Sequence, residues 1–209
     1  MTSTAGALPA PRVARVRAII KPGNLLPALA FMFLVVSQAT RSEFPPSLST
    51  ALLVLINGVA LVLFVIRRDA TRVGNKIEMV IAISGTFIVS FLAGPKVRDT
   101  QVLASVFQLV ALAGWAGSLI TLGRSFGIVP ADRGIIRHGP YRFVRHPIYA
   151  FEFLFFGGYL MAIPTWRSAA IIAIWSVLQI VRIVREERIL QGYDGYKRQV
   201  RWRLVPFVW

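Results

Sequence analysis

Apolar residues fall into six stretches separated by polar turns: 23–40, 47–66, 77–94, 101–122, 148–163 and 168–184. Each is expected to form a helix that crosses a bilayer, because about 20 apolar residues span a hydrocarbon core of about 30 Å. Pro45 and Pro46 mark the first turn, and residues 67–76, 95–100 and 164–167 form three of the others. The fifth stretch is short for a full crossing, so tilted, extended and re-entrant placements stay open. No internal repeat or low-complexity tract interrupts the pattern.

The basic residues orient this stack, since positively charged loops are retained in the cytoplasm. On one side lie Arg12, Arg15, Arg17 and Lys21, then Arg67, Arg68, Arg72 and Lys76, then Arg124, Arg133, Arg137, Arg142 and Arg145, and finally the seven basic residues from Arg182 onward. The other side carries Arg41, Lys96, Arg98 and Arg167. Six crossings make these clusters alternate; five would not. The expected fold class is therefore all-α: a polytopic integral membrane bundle of about six transmembrane helices, N-in and C-in, with a cytoplasmic loop and C-terminal tail, placed in the plasma (inner) membrane. Residues 1–122 would form a four-helix membrane region and residues 123–209 a second half bearing the chemistry. The apolar run after residue 22 lacks a small-residue cleavage pattern, which favours a retained first helix over a signal peptide.

Composition agrees with the pattern. A 56% hydrophobic content and a mean hydropathy of +0.63 exceed what a soluble surface tolerates. The net charge of +15 does not indicate nucleic acid, because the cations sit between apolar runs and face an anionic leaflet rather than forming a basic face on a compact core. With no cysteine, disulfides, thiolate metal sites and cysteine nucleophiles are excluded. No metal is expected.

Two places carry more polar chemistry than a connector needs. One is the segment 123–147, long for a plain loop, which holds Arg124, Asp132, Arg133, Arg137, His138, Tyr141, Arg142, Arg145 and His146. The other is the end of the sixth stretch, with Arg182, Arg185, Glu186, Glu187 and Arg188. Pro147 suits the first turn of a helix and biases His146 away from helical geometry, which sets the imidazole at the helix mouth. Arg182 and Glu186 are four apart and share a helical face, whereas Glu187 is rotated by about 100 degrees. One carboxylate is thus expected to face a pocket and the other solvent. Glu152, one turn into the fifth stretch, is a functional candidate by its depth, unless it pairs with an arginine of a neighbouring helix.

The segment GPYRFVRHPIY at 139–149, followed about 36 residues later by REERIL at 185–190, then Tyr193-x-x-Tyr196 and Arg203-Leu-x-Pro, resembles the catalytic half of the isoprenylcysteine carboxyl methyltransferase family and the related phospholipid methyltransferases. The resemblance covers roughly the last 90 residues and implies a membrane enzyme that uses S-adenosylmethionine. It implies a cofactor pocket lined by Tyr141, Val144, His146 and Tyr149 and closed by Glu186 and Glu187. Arg145 or Arg182 would meet the cofactor carboxylate or orient an acidic acceptor, with Glu186 at the reacting end. The expected activity is methyl transfer to a lipophilic or small acceptor, a carboxylate oxygen first, with nitrogen and sulfur acceptors open. Membrane lipid is the remaining expected partner.

Plainer readings compete. His146 would satisfy local backbone at a helix start. Glu186 and Glu187 would balance the arginines around them. Tyr141, Tyr193 and Tyr196, with Trp202 and Trp209 and less so Tyr149, would form an interfacial aromatic belt. A non-catalytic membrane protein of the same fold, binding lipid or a partner, is the alternative function.

Overall fold

A computed structural model describes residues 48–92 and 102–209, with residues 28, 29, 31–33, 35, 36 and 40 of the first apolar stretch. The basic N-terminal cluster and the 95–100 link lie outside the described residues. The chain is mostly helical. Besides the described residues of the first stretch, which are helical, the α-helices among the described residues are α1 (Leu48–Ile66), α2 (Lys76–Phe87), α3 (Val102–Leu122), α4 (Pro147–Ala162), α5 (Trp166–Ile189) and α6 (Tyr193–Gln199).

Three expectations need adjustment. The chain is not purely α, because β1 (Arg72–Val73) pairs antiparallel with β2 (Ala131–Asp132) and stitches the 67–76 turn to the long loop. The third stretch is α-helical only to Phe87 and tightens into a 3-10 turn over Ile88–Phe91, the geometry helix ends often take. The helix over the sixth stretch runs past 184 to Ile189, so Glu186 and Glu187 are helical residues. Strong helix formers with partners three and four apart continue it there.

Local signals fix the helix starts. Asn75 caps α2 in a full capping box with Glu78, and the Thr165 hydroxyl accepts from the Ser168 N–H at 3.1 Å to begin α5. Both arrangements satisfy backbone N–H groups that the first turn leaves without partners. Val102–Ser125 and Trp166–Ile189 are long and apolar enough to cross a membrane, while α1 and α4 are apolar but shorter. Leu103, Val106, Val110 and Ile120 on α3, and Ile174, Val177 and Ile180 on α5, point outward. An apolar outer face of this extent is solvated by lipid chains, not water.

Close packing holds α4 in place. Any side-chain carbon at Gly114 of α3 would collide with the Phe151 ring, and one at Gly158 of α4 would lie 3.1 Å from the Ala104 carbonyl oxygen. Phe153 and Phe156 of α4 pack with tilted rings against Trp175 of α5, centroids 4.8 and 4.6 Å away. The loop is equally anchored: Arg68 N–H donates to the Arg124 carbonyl at 2.7 Å, and buried Asp132 accepts from the N–H groups of Gly134 and Gln191 at 3.1 and 3.0 Å.

Candidate functional site

The loop reaches α4 through a 3-10 turn, Gly139–Arg142. Gly139 has a φ of 59° and lies against Thr121, so a side chain there would meet both strain and contact. The turn buries Tyr141, whose carbonyl accepts from the Tyr196 hydroxyl at 2.6 Å. Burial, and next the Glu186 carboxylate, hold the Tyr141 phenol protonated well above its ordinary range. Val144 forms a parallel bridge with Trp202. The N–H groups of Arg145 and His146 donate to the Trp202 and Arg203 carbonyls at 2.8 and 2.9 Å. His146 is the N-cap of α4 with extended-side φ of −128°, and Pro147 follows as its first residue.

From that mouth two helical faces descend together. Tyr149 and Glu152 of α4 are three apart, and Glu186, Arg182 and Gln179 of α5 are spaced by four and three, so each set lines one face. The faces meet in rungs. The Tyr149 hydroxyl donates to Glu186 Oε2 at 2.7 Å, and Gln179 Nε2 donates to Glu152 Oε2 at 2.7 Å. Between them buried Arg182 stands 5.3 Å over the Tyr149 ring, and its Nη2 donates to the Ile128 and Gly127 carbonyls.

Above the rungs, Glu187 gathers four groups. Its Oε1 lies 3.2 Å from His146 Nε2 and 3.1 Å from the Tyr193 hydroxyl, and Arg203 donates from Nη2 to Oε2 at 3.1 Å and from Nε to Oε1 at 3.2 Å. Arg145 Nε stands 3.4 Å from Oε1, close enough for ionic attraction but without hydrogen-bond geometry. Burial, and after it the Glu187 charge, push the Tyr193 phenol far up, so it is a donor at any ordinary pH.

The residues to which the resemblance assigns a role therefore fall on one seam: Tyr141, Val144, Arg145, His146 and Tyr149 on one side, Arg182, Glu186 and Glu187 on the other. Three details differ from expectation. Neither glutamate faces solvent, because α5 packs so that Tyr149 takes one and His146 with Arg203 takes the other. Glu152 accepts a hydrogen bond from Gln179, and Arg182 of the neighbouring helix acts on it by charge rather than through a hydrogen-bonded pair. Tyr149, Tyr193 and Tyr196 are buried with their hydroxyls hydrogen-bonded, and Tyr141 is buried with its carbonyl accepting from Tyr196, so these four are not an aromatic belt. Sequence reasoning missed Gln179 and gave no role to Arg203. Gln179 was detectable as a lone amide in an apolar helix, seven residues before Glu186.

Residues 100–195 match the phospholipid methyltransferase family. The match runs from the start of α3 through the loop, α4 and α5 into α6, so it spans every residue of the seam named above and stops short of Trp202 and Arg203. The resemblance drawn from GPYRFVRHPIY and REERIL is thereby shown. Over these residues the chain is similar to a family of membrane methyltransferases, and it carries two helices long and apolar enough to cross a bilayer. No curated protein matches the chain.

Proposed function

We propose that this chain is an S-adenosylmethionine-dependent methyltransferase of the membrane, similar to the isoprenylcysteine carboxyl methyltransferases, that acts on a lipophilic or small acceptor through a carboxylate oxygen. Its cofactor site lies between the first turn of α4 and the last turns of α5. The proposed topology is six crossings with both termini and the long loop in the cytoplasm of a plasma (inner) membrane, residues 123–209 being the catalytic half. The observation that carries the reading is the pairing of two motifs 36 residues apart in sequence, His146 with Glu187 and Tyr149 with Glu186.

The residues present suit the cofactor's polar groups. Arg145 is buried in ionic contact with Glu187 but with Nε and Nη1 making no hydrogen bond, and a guanidinium with N–H groups to spare can hold a second carboxylate. Glu186 gives Oε2 to Tyr149 and would accept from the amino group or a ribose hydroxyl with its other oxygen. The cofactor brings a methyl group already activated on a sulfonium, so the protein's work is alignment and exclusion of water. Arg182, with an unpartnered buried Nε, would orient an acidic acceptor within the seam.

A second reading, a non-catalytic membrane protein of this fold that binds lipid or a partner, draws on Glu187. Both its oxygens are already engaged by the chain's own side chains. Calorimetric titration of S-adenosylhomocysteine into detergent-purified protein separates the two. Binding that is weakened by Glu186→Gln and by Tyr149→Phe supports the enzyme; no binding by folded wild-type protein leaves the second reading.

A further inference from the structure

The tail after α6 presents apolar side chains where water would be expected to meet polar ones. Phe207 is 87% exposed and Val208 77% exposed, and Val205 and Phe143 are exposed beside them. The arrangement is built. Trp209's carbonyl accepts from the N–H groups of Arg203, Leu204 and Val205, and Phe207 adopts a φ of 66°, a conformation that costs a side-chain-bearing residue energy. The Phe207 ring packs on Trp202 at 5.1 Å, and Trp202 bridges Val144, the neighbour of Phe143. Val205, Phe207 and Val208 thus present apolar side chains from one turn of the tail, and exposed Phe143 lies one residue from the bridge that holds Trp202.

Its position follows from the backbone. Trp202 and Arg203 are hydrogen-bonded to Arg145 and His146, and His146 caps α4. The tail therefore sits at the level where α4 starts. Around it stand exposed Arg142, Lys197, Arg198 and Arg201, and no acidic residue occurs between 195 and 209.

We infer that Phe143, Val205, Phe207 and Val208 form an interfacial anchor that dips into the headgroup and upper acyl region of an anionic leaflet, flanked by Arg142 and Arg201. Apolar side chains ringed by cations fit such a surface on both counts. A second copy of the chain fits worse, since self-association through this patch would bring like charges together. The same tail supplies Arg203 to Glu187, so the anchor ties the seam's cover to the bilayer. The inference rests on the proposed membrane placement of α4 and α5.

The chain has no cysteine, which makes single labels clean. Phe207→Cys and, separately, Val208→Cys would carry an environment-sensitive fluorophore in nanodiscs of phosphatidylglycerol and phosphatidylcholine, with and without brominated acyl chains. Val177→Cys on the outer face of α5 reports the membrane span itself. The expected result is blue-shifted emission at both tail sites that brominated lipid quenches, with Val177→Cys quenched as well. Quenching at Val177→Cys alone, with the tail labels open to iodide or shielded by a concentration-dependent dimer, overturns the anchor and leaves the span standing. Absence of quenching at all three sites overturns the anchor together with the membrane placement.

Discussion

Arg203 grips both oxygens of Glu187, with Nη2 3.1 Å from Oε2 and Nε 3.2 Å from Oε1, and so fastens the tail to the last turn of α5. The fork geometry matters because a planar guanidinium matches a carboxylate with two parallel donors, which an ammonium cannot do. Glu187 is nearly buried while Arg203 is about a quarter exposed, so the pair is worth less than a fully buried one. Arg203→Ala should cost roughly 1–3 kcal/mol and expose the bonds after α6 to limited proteolysis. Arg203→Lys should recover only part of that protection. A tail equally resistant in Arg203→Ala and wild type would show that the Trp202 and Val144 pairing alone holds it.

The seam was legible in sequence to the extent that its residues obey helical spacing. Pro147 announces the helix start that sets His146, and Arg182 and Glu186 share a face by their spacing of four. Illegible was the rotation of α5 about its axis, which decides whether Glu187 looks inward. That rotation is set by Trp175 packing on Phe153 and Phe156, contacts between segments whose relative height no periodicity gives. The role of Arg203 was hidden for a related reason. It depends on a turn at Gly192, with a φ of 69°, that sends α6 back across the mouth of α4.

Alkaline pH should loosen α6. Burial pushes the Tyr196 phenol from its ordinary value of 10.0 up to about 12, against the opposing pull of Arg145 and Arg137. Because the folded value lies above the unfolded one, the protonated form's contribution is complete below pH 10 and is lost as pH rises toward 12. Tyrosinate absorbance should then rise together with proteolytic access to α6. Tyr196→Phe removes the donor to the Tyr141 carbonyl, costing about 1 kcal/mol at neutral pH, and should flatten part of the alkaline loss. An unchanged alkaline profile in Tyr196→Phe would assign the transition to Tyr193 or Tyr141.

The contact of α3 with α4 depends on Gly114, since the Phe151 ring occupies the place of its side chain. Gly114→Val should therefore overpack the interface and cost roughly 1–3 kcal/mol, lowering the melting temperature in detergent. Trimming the partner, as in Gly114→Val with Phe151→Ala, should restore part of the loss, because the new methyl groups enter the space the ring vacates. Additive losses in the double variant would mean that the two residues do not share that space.

The six-crossing topology turns on α4, which at 16 residues reaches only about 24 Å along its axis and falls short of a core of about 30 Å. Its start carries the polar seam, so the deficit must fall at the other end, near Thr165 and the exposed Trp166 and Arg167. An indole and a guanidinium at that level suit a membrane interface, where the ring stays in the headgroup region and the charge reaches water. Reporter fusions after residue 165 should then report the side opposite to fusions after residue 209. Equal cytoplasmic activity at both sites would make α4 and α5 a re-entrant pair and remove the basis for six crossings.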